Sequence, residues 1–330
     1  MDSPPQPATP HVSAAPPAIR PDTLIVIGLS VAVVLFFFAW VPRYGPVRGS
    51  SALAWLYSAW NGETDYEHGL IFPFLITGLI IYRFQSLRSA VGKGSWLGLA
   101  VVLLGALFYA AAYRTLQARV AVGALPIILW GSALYLWGWQ VAKLLAFPLF
   151  FFWLAIPLPG FQQATTGLQH LAAQLAHLGS GLCGVETIVK GTDILPVKGD
   201  WQPLSIAGGC SGIRSLMALL MISATWAYVA KISLWKKALL FLAAVPLAIL
   251  GNALRVTSIF VIAEYGDARW ARETWHDWSG LVLFYPISLF ILLCLHTLLE
   301  GELPWKRANR KQLQRTVVSA RNSTPVQPQP

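Results

Sequence analysis

The sequence KALLFLAAVPLAILGNALRVTSIFVIA, residues 237–263, decides the fold. After its first lysine, this segment has one charged residue, Arg255. A helix needs about 20 apolar residues to cross the roughly 30 Å hydrocarbon core of a bilayer, and this segment is longer than that. We therefore predict a membrane-spanning helix, with a kink at Gly251-Asn252, where a glycine interrupts the apolar run.

The composition of the whole chain supports the same interpretation. Of 330 residues, 56% are hydrophobic and 12% are charged, whereas soluble proteins average about 45–50% and about 25%. So few charged side chains cannot cover the surface of a soluble fold. This composition excludes a cytosolic enzyme, a secreted disulfide scaffold and a disordered chain. We predict an all-α fold, a polytopic integral membrane helical bundle.

Further apolar runs have lengths that suit membrane helices. Together with residues 237–263 they predict about eight transmembrane helices. The other seven runs are Leu24–Val41, Gly69–Phe84, Trp96–Tyr113, Val120–Gly138, Lys143–Pro157, Cys210–Ala230 and Trp278–Leu299. Because eight is an even number of crossings, the two ends of the chain are expected on the same side of the membrane.

The remaining segments divide the chain into a membrane domain, residues 22–300, and two tails. Residues 1–21 are rich in proline and alanine and predict a disordered tail, and residues 301–330 predict a basic disordered tail. Residues 161–183 are weakly amphipathic and predict a helix lying at the membrane interface. Residues 184–206 contain β-branched residues separated by glycine and proline, which predict a short extracytoplasmic hairpin.

The distribution of lysine and arginine predicts the orientation. Positive charge accumulates in cytoplasmic loops, and eight spans place the basic residues of 83–93, 231–237 and the C-terminal tail on one side. Both termini are therefore predicted to be cytoplasmic. We interpret the net charge of +10 as attraction to anionic membrane lipids rather than to nucleic acid. Four arginines on the opposite side weaken the bias: Arg43, Arg48, Arg114 and Arg119.

The segment AGGCSGIRSL, residues 207–216, places Cys210 just before an apolar run. A thiol at the start of a helix gains from the helix dipole and from free backbone N–H groups, which favour the thiolate and could hold an oxyanion. The alternative is that Cys210 is only a small packing residue. Arg214, one turn later, could lower the pKa of the thiol or anchor the helix at the interface. The other cysteines, Cys183 and Cys294, are expected to be packing residues.

Two further segments place polar groups at the depth predicted for Cys210. Asn252 and Arg255 share one helix face, and a guanidinium among apolar residues should face the protein interior, water or a partner. Snorkelling to headgroups is the alternative. His276, in the sequence WHDWSG (275–280), could be the base for a cysteine nucleophile or an interfacial residue among tryptophans. A nucleophile, a base and a cation are what acyl transfer requires.

Metal ligation is not expected. His170 and His177 lie seven residues apart on one face of the predicted interfacial helix, but no third ligand is evident in the sequence. The three cysteines form neither a CxxC pair nor an even disulfide set. We therefore predict no metal and no cofactor.

At these positions the chain resembles the exosortase/archaeosortase family of membrane-embedded cysteine transpeptidases. The resemblance rests on Cys210-Ser211-Gly212-Ile213, on Asn252-x-x-Arg255-Val256 and on His276, and more loosely on Glu67-His68-Gly69. It covers about residues 24–300. It implies Cys210 as nucleophile, with Arg255 and His276 completing the site. It also implies supporting positions at Asn252, Arg214, Ser211 and His68.

The resemblance implies a substrate class as well. The substrates would be exported proteins with a C-terminal sorting signal of the PEP-CTERM kind, which consists of a short motif, one membrane helix and a basic end. The enzyme would cleave this signal through a Cys thioester at the periplasmic face of a bacterial inner membrane. It would then transfer the protein to a surface or exopolysaccharide acceptor whose identity the sequence does not give.

Two other functions remain open from the residues alone. The chain could be a non-catalytic transporter or assembly subunit for exopolysaccharide export, with Arg255 lining a polar path. It could also be a purely structural membrane scaffold, which would tolerate substitution at Cys210, Arg255 and His276. The first alternative requires Arg255 but not Cys210, so substitution at these two positions separates it from an enzyme.

Overall fold

The computed structural model shows where these segments lie in the fold. It describes residues 21–45, 49–61, 64, 66–157, 160, 166–199, 201–205 and 213–300. The predicted tails, residues 1–21 and 301–330, lie outside these ranges apart from Pro21. Cys210 and Ser211 also lie outside the described residues, whereas every other candidate site residue lies within them.

The described part of the chain is largely helical. Short 3₁₀ turns precede α3 at Glu67–Ile71 and follow α7 at Phe152–Ala155, and a π-helical turn follows α1 at Phe36–Trp40. The helices are α1 (Pro21–Leu35), α2 (Ala52–Ala59), α3 (Phe72–Tyr82), α4 (Phe84–Ser89), α5 (Trp96–Thr115), α6 (Ala118–Trp137), α7 (Trp139–Phe151), α8 (Thr166–Leu182), α9 (Ile213–Val229), α10 (Leu234–Leu242), α11 (Ala244–Tyr265) and α12 (Ala268–Glu300).

The predicted all-α polytopic membrane bundle is confirmed. Among the described residues, four helical segments are long and apolar enough to cross a membrane: α5, α6, α10 with α11, and α12. Four shorter apolar helices, Gly28–Trp40, Glu67–Tyr82, Trp139–Ala155 and Ile213–Val229, occupy the other predicted spans. The number of eight crossings stays a prediction, because these four are shorter than the usual spanning length.

The kink predicted at Gly251-Asn252 is wrong. The helix runs unbroken through both residues, and the interruption lies at Ala243, between α10 and α11. Pro246 explains this position, because it has no N–H to donate to the carbonyl of Leu242 and its ring collides with that carbonyl. Gly251 instead allows close packing, since a Cβ there would lie 2.6 Å from a ring carbon of Phe284 on α12.

A small antiparallel sheet stands where the hairpin was predicted. Strands β1 (Thr187–Lys190) and β2 (Asp193–Pro196) form the hairpin, and Gly191 supplies the left-handed backbone, with φ of 67°, that the tight turn needs. A short third strand, β3 (Leu204–Ser205), pairs with β2. The hairpin is therefore confirmed and extended by one strand.

Helix α8, found within the predicted interfacial segment, packs lengthwise on α11. Three alanines of α8 contribute to a buried cluster with residues of the second half of α11, the sheet and the start of α12: Ala172, Ala173, Ala176, Val185, Ile194, Trp201, Val256, Ile259, Phe260 and Ala271. Small side chains allow this close approach, and Gly179 sits directly against Thr257. We name this assembly of α8, the sheet and the second half of α11 the head.

Helices α5 and α6 pack through glycines. A Cβ on Gly98 would lie 2.3 Å from the backbone nitrogen of Tyr135 and 2.6 Å from the carbonyl oxygen of Gly131. A Cβ on Gly105 would lie 2.7 Å from Ile128. Close backbone approach at small residues is the usual way in which membrane helices associate, because lipid gives no hydrophobic driving force between them.

We expect Gly98→Ala to lower the free energy of unfolding by about 1–3 kcal/mol, because the neighbouring backbone must shift to admit the methyl group. The matched control is Gly78→Ala on α3, where a Cβ would meet nothing within 4 Å. Alanine is the better helix former by about 1 kcal/mol, so the control variant should be neutral or slightly more stable. Thermal unfolding in detergent compares the two, and equal stabilities would contradict this packing.

Candidate functional site

Arg255 is held by α12. Its Nε donates a hydrogen bond to the Ser279 hydroxyl oxygen at 3.0 Å, and its Nη2 donates to the His276 carbonyl oxygen at 2.7 Å. The Ser279 hydroxyl donates to the same carbonyl at 3.0 Å. Ser279 is fully buried and Arg255 half-buried. The guanidinium therefore faces the neighbouring helix, which provides the acceptors that a charge among apolar residues needs.

Two π-helical turns flank the segment of α12 that contacts Arg255. They cover Ala271–Trp275 and Gly280–Phe284, so His276–Ser279 is one α-helical turn between them. The second is followed by Pro286, which has no N–H to continue the α-helical hydrogen bonds. Single π turns are uncommon in helices and are frequent at functional sites.

The imidazole of His276 is partly open to solvent. Its Nδ1 lies 3.1 Å from a carboxylate oxygen of Asp277, and the two side chains are 22% and 76% exposed. The pair itself contributes little stability at such exposure. It favours the tautomer with the proton on Nδ1, which makes Nε2 the nitrogen that can accept a proton. The adjacency of His276 and Asp277 in the sequence does not by itself show that the carboxylate reaches the imidazole ring.

A second cluster of polar side chains lies at the start of α9. Arg214, in the first turn of α9, has its Nε 3.3 Å from a carboxylate oxygen of Glu67, and both side chains are about half exposed. His68 is buried in the same 3₁₀ turn, with its ring 5.2 Å from Tyr66 and 6.2 Å from Phe72. The pair thus ties the turn before α3 to the helix that follows Cys210.

Tyr285 follows the second π turn of α12 and packs against a buried cluster formed by α9, α10, α11 and α12. Asn252 is fully buried one turn before Arg255 on α11. The structure therefore brings Arg255 into contact with the backbone of His276 and pairs Arg214 with Glu67.

Three residues of this arrangement had no assigned role in the sequence analysis. Glu67 directly precedes His68, and Ser279 lies in the sequence HDWSG that begins at His276. Both are polar residues next to proposed site residues, and this proximity in the sequence could have indicated a role for them. Tyr285 had no such signal, because it is one of 10 tyrosines in an aromatic-rich chain.

The other predicted positions fall away from this arrangement. Cys183 and Cys294 are both exposed thiols. His170 Nδ1 lies 3.2 Å from the Gly191 carbonyl oxygen, and His177 Nδ1 lies 2.6 Å from the Thr187 hydroxyl oxygen, so both rings face the sheet. In the described ranges, no three His, Cys, Asp or Glu side chains come together as metal ligands.

A cleft of about 280 Å³ lies between the head and the start of α12. Ile259, one turn beyond Arg255 on α11, lines it together with Arg272 of α12. Trp201 forms part of the wall, stacks on Phe260 at 5.1 Å and donates its N–H to a carboxylate oxygen of Glu264 at 2.8 Å. The cleft therefore lies between α11 and the start of α12 and begins one turn beyond Arg255.

Comparison with known protein families places the chain in a described family. The family model described as transmembrane exosortase matches residues 60–294, which is 235 of the 330 residues. Neither a curated protein nor a solved structure matches the chain. The matched range contains the Arg255 contact with α12, the Glu67–Arg214 pair and the segment 206–212, which holds Cys210.

We expect Ser279→Ala to lower the free energy of unfolding by about 1–3 kcal/mol, because it removes the acceptor for Nε of Arg255 in a buried position. Ser288→Ala is the matched control on the same helix: Ser288 is 1% exposed, and its hydroxyl has no hydrogen-bond partner in the part of the chain that the structure describes. Chemical or thermal unfolding measures the difference. Equal losses in the two variants would show that the Arg255 contact contributes nothing.

Proposed function

The chain belongs to the transmembrane exosortase family, and from this premise we propose that it is a membrane cysteine transpeptidase that cleaves the C-terminal sorting signal of exported proteins. Family membership and the apolar helices establish a multi-pass membrane protein with a general transpeptidase role. The residues that act, the signal that is cleaved and the acceptor are the proposal.

One observation carries the proposal. A guanidinium and a partly exposed imidazole occur together at the contact between α11 and α12, because Arg255 is fixed by the carbonyl of His276 and by Ser279. A fixed cation and an imidazole that is partly open to solvent are the groups that stabilise an oxyanion and move a proton. A purely structural arginine would not require an imidazole open to solvent beside it.

Cys210 is the nucleophile in this proposal. It is joined to Ile213, the first residue of α9, by three peptide units, whose reach is about 11 Å. Arg214 is in the first turn of that helix and pairs with Glu67 of the turn before α3. This attachment supports a thiol near the first turn of α9, where the Arg214 guanidinium and the helix N-terminus favour the thiolate, and the proposal brings this thiol to the α11–α12 contact.

The reaction follows from these groups. The Cys210 thiolate attacks the scissile carbonyl carbon, and Arg255 stabilises the negative charge that develops on the oxygen. His276 gives a proton to the leaving amine as the C–N bond breaks, which leaves a thioester on Cys210. The acceptor then loses its proton to His276 and attacks the thioester carbonyl, and the C–S bond breaks to release Cys210 as the thiolate. Arg255 and His276 could share the proton-transfer role.

We further propose that the site opens at the periplasmic face of a bacterial inner membrane, with both termini in the cytoplasm. The distribution of lysine and arginine supports this orientation. A substrate anchored by one membrane helix would have its motif at a fixed depth, so much of the entropic cost of positioning is already met. A surface or exopolysaccharide molecule would be the acceptor.

We expect Cys210→Ala to abolish cleavage of a co-expressed reporter that carries a motif, an apolar helix and a basic end. Cys294→Ala is the matched control, since that thiol is exposed on α12, and it should cleave normally. Mass spectrometry of the wild-type protein should find the reporter fragment as a thioester on Cys210. Normal cleavage by Cys210→Ala would refute the proposal. If Cys210→Ser keeps function while Arg255→Ala loses it, the chain is an export subunit.

We expect Arg255→Lys to lower the cleavage rate by about 10- to 100-fold, which corresponds to the loss of one charged hydrogen bond of about 1.5–3 kcal/mol. A lysine is a single point charge and cannot bond Ser279 and the His276 carbonyl as a planar fork does. Arg214→Lys is the control, because its one ion pair with Glu67 tolerates an ammonium group. Initial rates of reporter cleavage, measured at matched protein levels, compare the two variants. Equal rates would contradict the role of Arg255 in stabilising the oxyanion.

A further inference from the structure

Three arginines lie around the end of the hairpin formed by α5 and α6. Arg114 is in the last turn of α5, Arg119 is in the first turn of α6, and Cζ of Arg43 lies 4.7 Å from the centre of the Tyr113 ring. Helix α5 has 20 residues, so about 30 Å of helix separates this end from the basic loop at residues 83–93. We name these three arginines the arginine surface.

Two of the three guanidinium groups are held in place by the fold. Nε of Arg43 donates a hydrogen bond to the Tyr113 carbonyl oxygen at 3.2 Å, beside the ring of the same residue. Nε of Arg119 donates to the Pro157 carbonyl oxygen at 2.8 Å, and its Cζ lies 5.7 Å from the centre of the Trp55 ring. The two Nη nitrogens carry four of the five N–H groups of a guanidinium. In the described ranges these Nη groups have no hydrogen-bond partner, so they are available to a ligand.

The arginine surface has no acidic partner in the part of the chain that the structure describes. Other exposed cations are paired: Arg269 with Glu273 at 3.0 Å and Lys198 with Glu186 at 2.8 Å. Positive groups without a carboxylate beside them repel one another, and each gains from a nearby anion. The surface is therefore complementary to a negative group that the described residues do not supply.

The arginine surface also lies at the depth of lipid headgroups. Helices α5 and α6, which meet at this surface, are both long and apolar enough to cross a membrane. Trp40, three residues before Arg43, is 77% exposed, and Trp153, which is hydrogen-bonded to α6, is 45% exposed. Exposed tryptophans at the ends of membrane helices are typical of the membrane–water interface. Phosphate groups of lipids are the anions found at that level.

The segment after α7 joins this surface to the start of α3. The Pro157 carbonyl accepts from Arg119, and the Ala155 carbonyl accepts the N–H of Trp60 at 2.8 Å. The Trp60 ring packs against Gly69, which lies in the 3₁₀ turn before α3. That turn is paired with the first turn of α9. The arginine surface and the start of α9 are therefore at the same end of the bundle.

We propose that the arginine surface binds the phosphate groups of anionic membrane lipids. A guanidinium can donate two parallel hydrogen bonds to one phosphate, and basic surfaces between membrane helices are typical headgroup sites. Arginine is normally scarce at the end of membrane helices that lies opposite to basic loops, and a phosphate ligand gives these residues a role there. This inference does not rest on the proposed function, because none of the three arginines is a candidate site residue.

Lipid titration of the full chain in a neutral detergent tests the proposal. The probe is phosphatidylglycerol, which is anionic. The reference is phosphatidylcholine, which has the same phosphate ester but no net charge. Native mass spectrometry counts the bound lipid molecules and gives the Kd of each lipid. Inorganic phosphate, added as a competitor, distinguishes a headgroup site from a site for free phosphate.

The test variant combines Arg43→Gln with Arg119→Gln. The matched control combines Arg269→Gln with Lys198→Gln, which removes the same net charge from exposed side chains that already have acidic partners. We expect the wild-type protein to prefer phosphatidylglycerol to phosphatidylcholine. We expect the test variant to bind phosphatidylglycerol about 10- to 30-fold more weakly and the control to bind it as the wild type does.

Three results would overturn the proposal: equal losses in the test variant and the control, equal binding of the two lipids by the wild type, or displacement of phosphatidylglycerol by equimolar inorganic phosphate. If the test variant does not fold, Arg114→Gln decides, because this exposed side chain has no hydrogen bond or ion pair in the described ranges. We expect about fivefold weaker binding of phosphatidylglycerol from that change, and unchanged binding would contradict the proposal.

Discussion

The hydrogen bonds from Arg255 to α12 are the interaction on which the arrangement of the site depends. A guanidinium in the middle of an apolar helix is costly unless acceptors surround it. Ser279 and the carbonyl of His276 are those acceptors, and both lie in the single α-helical turn between two π turns. The cost of an unpaired charge therefore ties α11 to α12 at the backbone of His276.

The rest of the fold surrounds this contact with surfaces of different character. A cleft with polar and aromatic walls begins one turn beyond Arg255, between α11 and the start of α12. Helices α3 and α9 form an apolar groove, and the Glu67–Arg214 pair joins the turn before α3 to the first turn of α9. The polar contacts of the candidate site residues therefore lie where α11 meets α12 and where α9 begins.

Sequence reasoning succeeded where one local property was sufficient. Apolar runs of 15 to 27 residues in the sequence correspond to helices in the described ranges, because lipid leaves no alternative for unpaired backbone groups. The hairpin followed from β-branched residues around Gly191. The kink at Gly251 failed because a glycine in a helix can serve packing as well as bending: here Phe284 occupies the space, while Pro246 interrupts the helix elsewhere.

The sequence alone determined that this is a multi-pass helical membrane protein, since composition is a local property, and it predicts Cys210, Arg255 and His276 as site residues from residue type and motif. The tertiary structure decided which groups meet. That Arg255 binds the backbone of His276 and the Ser279 hydroxyl and that Glu67 pairs with Arg214 depends on the packing of helices far apart in the chain. No spacing in the sequence encodes such contacts, because the rotation of each helix is set by all of its neighbours at once.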